Sequence, residues 1–251
     1  MINFIKKFFL KKNHLQFAGP YENWEEAEEN STGYSSRAVL LKVEKAIIKV
    51  LDKHSAYERD GTNFESLPEK NTLLEILKNI DSKKNNAILD VGGGLGSLFI
   101  NYREFFVKNN FNYFVLEQDN FILKGTEISN NYKLPINFYS NLNDIKNIDI
   151  AILSSTLQYF EDWEQFVLNL LNKKPRHIII DRHPLSDEES KIYVQLNKNY
   201  YSEEVTYPLH ICNKSEFIRA FTGYQLIKSW DSDFDPSYFK GFHFLREGNK
   251  F

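Results

Sequence analysis

A chain of 251 residues with 42% apolar side chains is long enough for one large core with an appended cap, and none of its apolar runs approaches the ~20 residues of a membrane span. The formal net charge of -3 gives no global attraction for nucleic acid. A lone cysteine, Cys212, excludes an intrachain disulfide and points to a reducing, cytoplasmic setting.

Residues 1–13 mix Ile2, Phe4, Ile5, Phe8, Phe9 and Leu10 with four lysines. The stretch is too short and too charged for a secretory signal. It reads as a packed terminal helix or as a segment suited to peripheral contact with an anionic membrane surface. Phe17 to Trp24 is turn-rich and aromatic, and a short acidic helix is expected over Trp24 to Glu29. Ser35 or Ser36 caps a helix running to Lys53, and Thr72 with Glu75 reads as a capping box for Leu73 to Ile80. Residues 1–82 are thus expected to form a helical cap or lid, with the core in 83–251.

The pattern changes at Asn86. Ala87 to Val91 has the short apolar run of a buried parallel strand, followed by a glycine loop and a helix from Ser97 to Lys108. Tyr113 to Leu116, Ile136 to Tyr139, Ile148 to Leu153 and His177 to Ile180 are further strands, with a helix over Asp162 to Leu171. This alternation indicates βαβ units and a doubly wound α/β sheet. Residues 185–212 form a long insertion, expected to select the acceptor. Asn213 with Glu216 caps a helix through Phe221, Gly223 stops it, and two closing strands form a hairpin that places one strand antiparallel. Asp231, Asp233 and Asp235 lack the glycine and glutamate of a calcium loop, and no His/Cys spacing suits zinc, so no metal is expected.

Asp90-Val91-Gly92-Gly93-Gly94-Leu95-Gly96 lies between a strand and a helix. Its glycines permit a tight turn, and the amides behind them attract oxygen-rich ligands. The third glycine of a dinucleotide fingerprint would fall on Ser97 or Phe99. Asp90 would repel a pyrophosphate but pair with an ammonium, so the loop fits S-adenosylmethionine better than NAD. Glu117 ends the second strand, where a carboxylate accepts both ribose hydroxyls, with Gln118 beside it. Asn141 is placed near the adenine, and Ser155 and Leu157 follow the fourth strand.

The loop, Glu117 and Leu153-Ser154-Ser155-Thr156-Leu157-Gln158-Tyr159 resemble class I S-adenosylmethionine-dependent methyltransferases. That resemblance implies a Rossmann-like, seven-stranded, mostly parallel sheet, with S-adenosylhomocysteine as product. Gly19-Pro20-Tyr21, Thr32-Gly33-Tyr34, Glu58-Arg59-Asp60, Asp181-Arg182-His183-Pro184 and Thr206-Tyr207-Pro208 resemble a methyltransferase family of bacterial surface-polysaccharide gene clusters. It implies a small carbohydrate-related acceptor, such as a sugar, sugar nucleotide or sugar modification for capsule or lipopolysaccharide. Two readings compete: an NAD(P)-dependent sugar-modifying oxidoreductase or epimerase, and a non-catalytic partner protein that keeps the fold.

For catalysis, His183 is the expected base because imidazole titrates near neutrality, against the alternative of a structural turn histidine before Pro184. Asp181 and Tyr159 are the other catalytic candidates. Tyr34, Arg59, Gln158, Arg182, Tyr207 and His210 are expected around the acceptor, with Arg182 suited to an acidic or phosphorylated group.

Overall fold

Ala87 to Val91 is buried at all five positions, as a strand covered on both faces requires. It is the hinge of the architecture in a computed structural model that describes residues 15–33, 37–197, 201, 204–232 and 238–248.

In chain order the elements open with β1 (Leu15–Tyr21), α1 (Trp24–Glu29), α2 (Arg37–Leu51), β2 (Tyr57–Arg59), β3 (Thr62–Phe64) and α3 (Thr72–Asn79). The central part holds β4 (Ala87–Val91), α4 (Ser97–Asn101), α5 (Arg103–Lys108), β5 (Asn112–Leu116), α6 (Asp119–Tyr132), β6 (Ile136–Tyr139), β7 (Ile150–Ser154) and α7 (Trp163–Asn172). The chain continues through β8 (His177–Ser186), β9 (Lys191–Asn197), β10 (Val205–Asn213), α8 (Lys214–Arg219), β11 (Tyr224–Asp231) and β12 (Phe239–Arg246).

Strands β6-β5-β4-β7-β8 pair in parallel, and β12 then runs antiparallel between β8 and β11. Those seven strands lie in a ten-stranded sheet, because β1, β9 and β10 extend it through the far end of β8. The expected count of seven is therefore exceeded. Alternate residues feed two cores. Ile88, Tyr113, Ile150 and Ile179 face α2 to α6, while Leu89, Leu153, Ile178 and Ile180 face α7 and α8. Each fully buried Ile or Leu contributes roughly 1.5–3 kcal/mol.

Several elements differ from expectation. The N-terminal region is not a purely helical cap, because β1 joins the sheet at β9 inside the 185–212 segment. Residues 57–64 form a hairpin, β2–β3, turning on Asp60 (φ 52°) and Gly61 (φ 77°). Two successive positive φ angles define the primed turn that Asp-Gly favours. Helix α3 is capped by Asn71, which accepts from Leu74 N–H at 2.9 Å, in place of Thr72. The expected 97–108 helix breaks at Tyr102 (φ -124°) into α4 and α5. Asn213 caps α8 as expected. Residues 1–13, Ser35, Ser36, Asp233 and Asp235 lie outside the described residues. No described helix is long and apolar enough to cross a membrane.

Candidate functional site

The glycine loop leaves β4 at a backbone bond from Gly92 N–H to Leu116 C=O of 2.8 Å. Gly92 and Gly94 take left-handed φ of 66° and 59°. A Cβ on Gly92 would stand 2.4 Å from Thr156 Cγ2, and one on Gly93 would stand 2.5 Å from Asp90 Oδ2. The turn is therefore pressed against its surroundings, with only Gly94 facing open space. Asp90 lies beneath it, 3% exposed, and accepts from the Tyr113 hydroxyl at 2.7 Å. Burial pushes the Asp90 carboxyl up to about 7, against the opposing pull of Tyr113. Glu117 accepts from the Gln118 N–H at 2.6 Å and from the Gly94 amide, which ties the end of β5 to the loop. Burial raises its carboxyl as well. With only five residues, α4 brings a small macrodipole to the loop.

The loop forms one wall of a cleft of about 340 Å³. The facing wall is built from charged side chains on separate elements. Asp181 on β8 accepts from Trp230 Nε1 at 3.1 Å and from the Ser154 hydroxyl at 3.3 Å. Arg182 Nε lies 3.7 Å from Asp181 Oδ2, its NH2 donates to Ser154 Oγ at 3.2 Å, and its NH1 lies 3.6 Å from Asp60 Oδ2. Arg182 (φ 52°) and Ser155 (φ 56°) hold left-handed backbones, each at a cost of order 1–3 kcal/mol. Both line the cleft.

Asp90, Gly92, Gly93, Gly94, Ser155, Arg59, Asp181 and Arg182 all line this cleft. Others do not. Gln118 and Asn141 are exposed, and Asn141 Oδ1 is engaged by the Asn143 N–H at 2.9 Å. Leu157 is buried in the apolar layer around α7. Gln158 is buried and donates to Ser155 Oγ at 3.2 Å. Tyr159 donates to Gln195 Oε1 at 3.0 Å and meets Tyr207 edge-on at 5.0 Å, so both rings are framework. His210 stacks on Trp24 at 4.8 Å and bonds the Glu161 carbonyl at 3.0 Å. Tyr34 lies outside the described residues.

His183 is the main correction. It is 1% exposed, stacks on Phe217 at 4.1 Å, and neither ring nitrogen has a partner. Burial pushes it down to about 3, with His210 adding to the effect, so the ring is neutral and sealed away from the cleft. Cys212 is also buried, and its thiol is pushed up to about 12. Sequence reasoning gave no site role to Glu58, Ser97, Asn101, Ser154 or Trp230, all of which line the cleft. The Asp60-Gly61 turn between Tyr57-Glu58-Arg59 and Thr62-Asn63-Phe64 was the available signal for the hairpin that delivers Glu58.

No protein-family model matches the sequence, and no curated protein matches it. Solved structures do match in shape. The N-terminal domain of EvdMO1, solved with SAH bound, aligns with TM-score 0.52 and 7% identity, over 82% of this chain and 95% of that one. The PH0226 protein from Pyrococcus horikoshii OT3 aligns with TM-score 0.50 and 12% identity, over 70% and 87%. A pericyclic reaction enzyme aligns with TM-score 0.50 and 12% identity, over 83% of this chain and 64% of its own. The chain shares their fold. Because fold does not dictate chemistry, the reaction must be argued from the cleft.

Proposed function

We propose that this chain transfers a methyl group from S-adenosylmethionine to an oxygen or nitrogen of a small carbohydrate-related acceptor. The observation that carries the reading is the charge of the cleft beside the glycine turn. Its lining holds Glu58, Asp60, Asp90, Asp181 and Asp231 against Arg59, Lys70 and Arg182. A cationic ligand favours ionisation of the buried Glu58 and Asp90 carboxyls, so the balance suits a sulfonium and an ammonium and opposes a pyrophosphate at the glycine turn. SAH bound to the similarly folded EvdMO1 domain supports the same class of ligand.

In this reading Gly92, Gly93 and Gly94 present backbone to the amino-acid tail, with Asp90 below, and Glu117 at the end of β5 takes the ribose hydroxyls. Gln118 and Asn141 belong to the nucleoside rim. Ser155 faces the tail, and Leu157, Gln158 and Tyr159 hold Ser155 and its turn in place. S-adenosylmethionine supplies an activated methyl group whose leaving group is a neutral thioether. What remains for the protein is alignment and exclusion of water. Arg182, Arg59 and Asp181 orient the acceptor, and Tyr207 and His210 brace the strand behind it. The N-terminal region serves as the cap over the cleft and the 185–212 segment as the acceptor-side frame. The polysaccharide-cluster resemblance supports a sugar, sugar nucleotide or sugar modification as acceptor, handled in the cytoplasm for capsule or lipopolysaccharide.

Calorimetric titration tests the reading. S-adenosylmethionine and S-adenosylhomocysteine are expected to bind one per chain, with no heat from NAD. Binding of NAD in place of both would overturn it.

A further inference from the structure

Glu58 is the side chain the proposed chemistry leaves unexplained. It sits on β2, 1% exposed, and lines the cleft. Its Oε1 accepts from the Gly61 N–H across the hairpin turn at 2.8 Å. Its Oε2 is buried and has no hydrogen-bond partner. The backbone is clamped on both sides by Asn101, which accepts from Glu58 N–H at 3.0 Å and donates to Glu58 C=O at 2.7 Å. Ser97, the first residue of α4 after the glycine loop, lies against the same carboxyl. Thus the hairpin is anchored to the helix that follows the loop; the Ser97 hydroxyl sits near enough to favour the charged carboxyl, and Oε2 is buried in the cleft wall outside hydrogen-bond geometry with any group.

A buried carboxylate oxygen left unpaired costs about 1–3 kcal/mol or more, and one set in a cleft wall is placed to be completed by a ligand. Burial pushes this carboxyl up to about 7, with Asp60 adding to the rise and the Gly61 amide, Ser97 and Arg182 opposing it. Arg182 is held by Asp60, Asp181 and Ser154 and lowers the carboxyl through its charge. Lys42 on α2, whose stem packs against Gly61, Arg59 on the hairpin itself and Lys70 in the cleft lining are further cations around it. Asp90, by contrast, already spends Oδ2 on Tyr113 and sits beneath Gly93.

We propose that Glu58 is a ligand-binding residue that accepts a hydrogen bond from the protonated amine of the amino-acid tail, completing with Asp90 a two-carboxylate amine site closed by the N-terminal hairpin. This rests on the S-adenosylmethionine reading and assigns to it a residue from outside the glycine loop.

The test compares S-adenosylhomocysteine with its desamino analogue, in which hydrogen replaces the amino group, on the full chain and on Glu58→Gln. The substitution keeps the shape and removes the charge. Affinity for S-adenosylhomocysteine is expected to fall about 10- to 100-fold, a charged hydrogen bond's worth. Affinity for the desamino analogue should stay within about twofold, and the melting temperature should not fall. Equal loss for both ligands with a lowered melting temperature would make Glu58 a structural residue of the turn and overturn the proposal. Unchanged affinity for S-adenosylhomocysteine would overturn it too, leaving the cofactor reading intact. Failure of the wild-type chain to bind S-adenosylhomocysteine would overturn both.

Discussion

The two walls of the cleft are made in opposite ways. One is almost all backbone: the 92–94 turn, held by contacts from Thr156 and Asp90 that leave no room for a side chain at Gly92 or Gly93. The other is almost all charged side chain, with Asp60, Asp181 and Arg182 brought from a hairpin and a long strand, and tied by bonds of 3.1–3.7 Å. The first wall takes its shape from the core and should fail abruptly when crowded. The second takes its shape from partly solvated ion pairs and should tolerate change until an acceptor must be read.

The largest effect should follow from crowding the backbone wall. Gly93→Val places carbon 2.5 Å from the Asp90 carboxylate, so loop or acid must move. Loss of S-adenosylhomocysteine binding by at least about 100-fold is expected by calorimetry, on the scale of removing several charged hydrogen bonds. A variant that binds within about tenfold of wild type would show that the wall yields. Next is Tyr113→Phe, which removes the donor to buried Asp90. Urea unfolding should show a loss of about 1–3 kcal/mol. A smaller loss would mean that water or a loop amide replaces the hydroxyl.

His183→Phe sharpens the contrast from outside the cleft. It replaces a ring with two unpartnered nitrogens by an isosteric apolar one stacked on Phe217. Stability should be retained or gained, and methyl transfer unchanged, since this histidine faces neither wall. A large fall in turnover would restore it as the base.

The pH dependence carries a sign. His177 and His183 are held down to about 3, and His243 to about 4, chiefly by burial. Their contribution is present above 6.5 and is lost as pH falls through the unfolded value toward 3–4. Glu58 and Asp90, raised to about 7, act in reverse: ligand-free stability is lost as pH rises from about 4 toward 7. His183→Phe should flatten the acid limb and Glu58→Gln the neutral one, read by urea unfolding across pH 4–8. The smallest effect belongs to Asp60→Ala. Its carboxylate is 58% exposed, so the Arg182 pair contributes less than about 1 kcal/mol to stability.

What was legible in the sequence follows the same division. The strands β4, β7 and the start of β8 read as nearly continuous apolar runs because both faces are covered, and the glycine turn is punctuated by residues few other environments need. Asn213 announced α8 through its own hydrogen bonds. Strands β9 and β10 were missed although apolar residues alternate along both, at Ile192, Val194 and Leu196 and at Val205, Tyr207, Leu209 and Ile211. Gln195 bonds Asn197, Tyr207 and Tyr159 inside the layer, and Thr206 bonds Thr32. These buried polar residues, with Pro208 inside β10, gave the stretch the composition of a loop. β1 was hidden by Gly19-Pro20, a turn signal within a strand. His183 misled because its chemistry was read from residue type, whereas its burial comes from Phe217, 34 positions away in sequence.

The central claim, that the backbone wall cradles the amino-acid tail of a sulfonium nucleoside, is tested most directly by a crystal structure with S-adenosylhomocysteine. The tail should lie along Gly92 to Gly94, with its amine between Asp90 and Glu58 and its ribose hydroxyls on Glu117. The product bound elsewhere, or a pyrophosphate seated in the turn, would contradict the account.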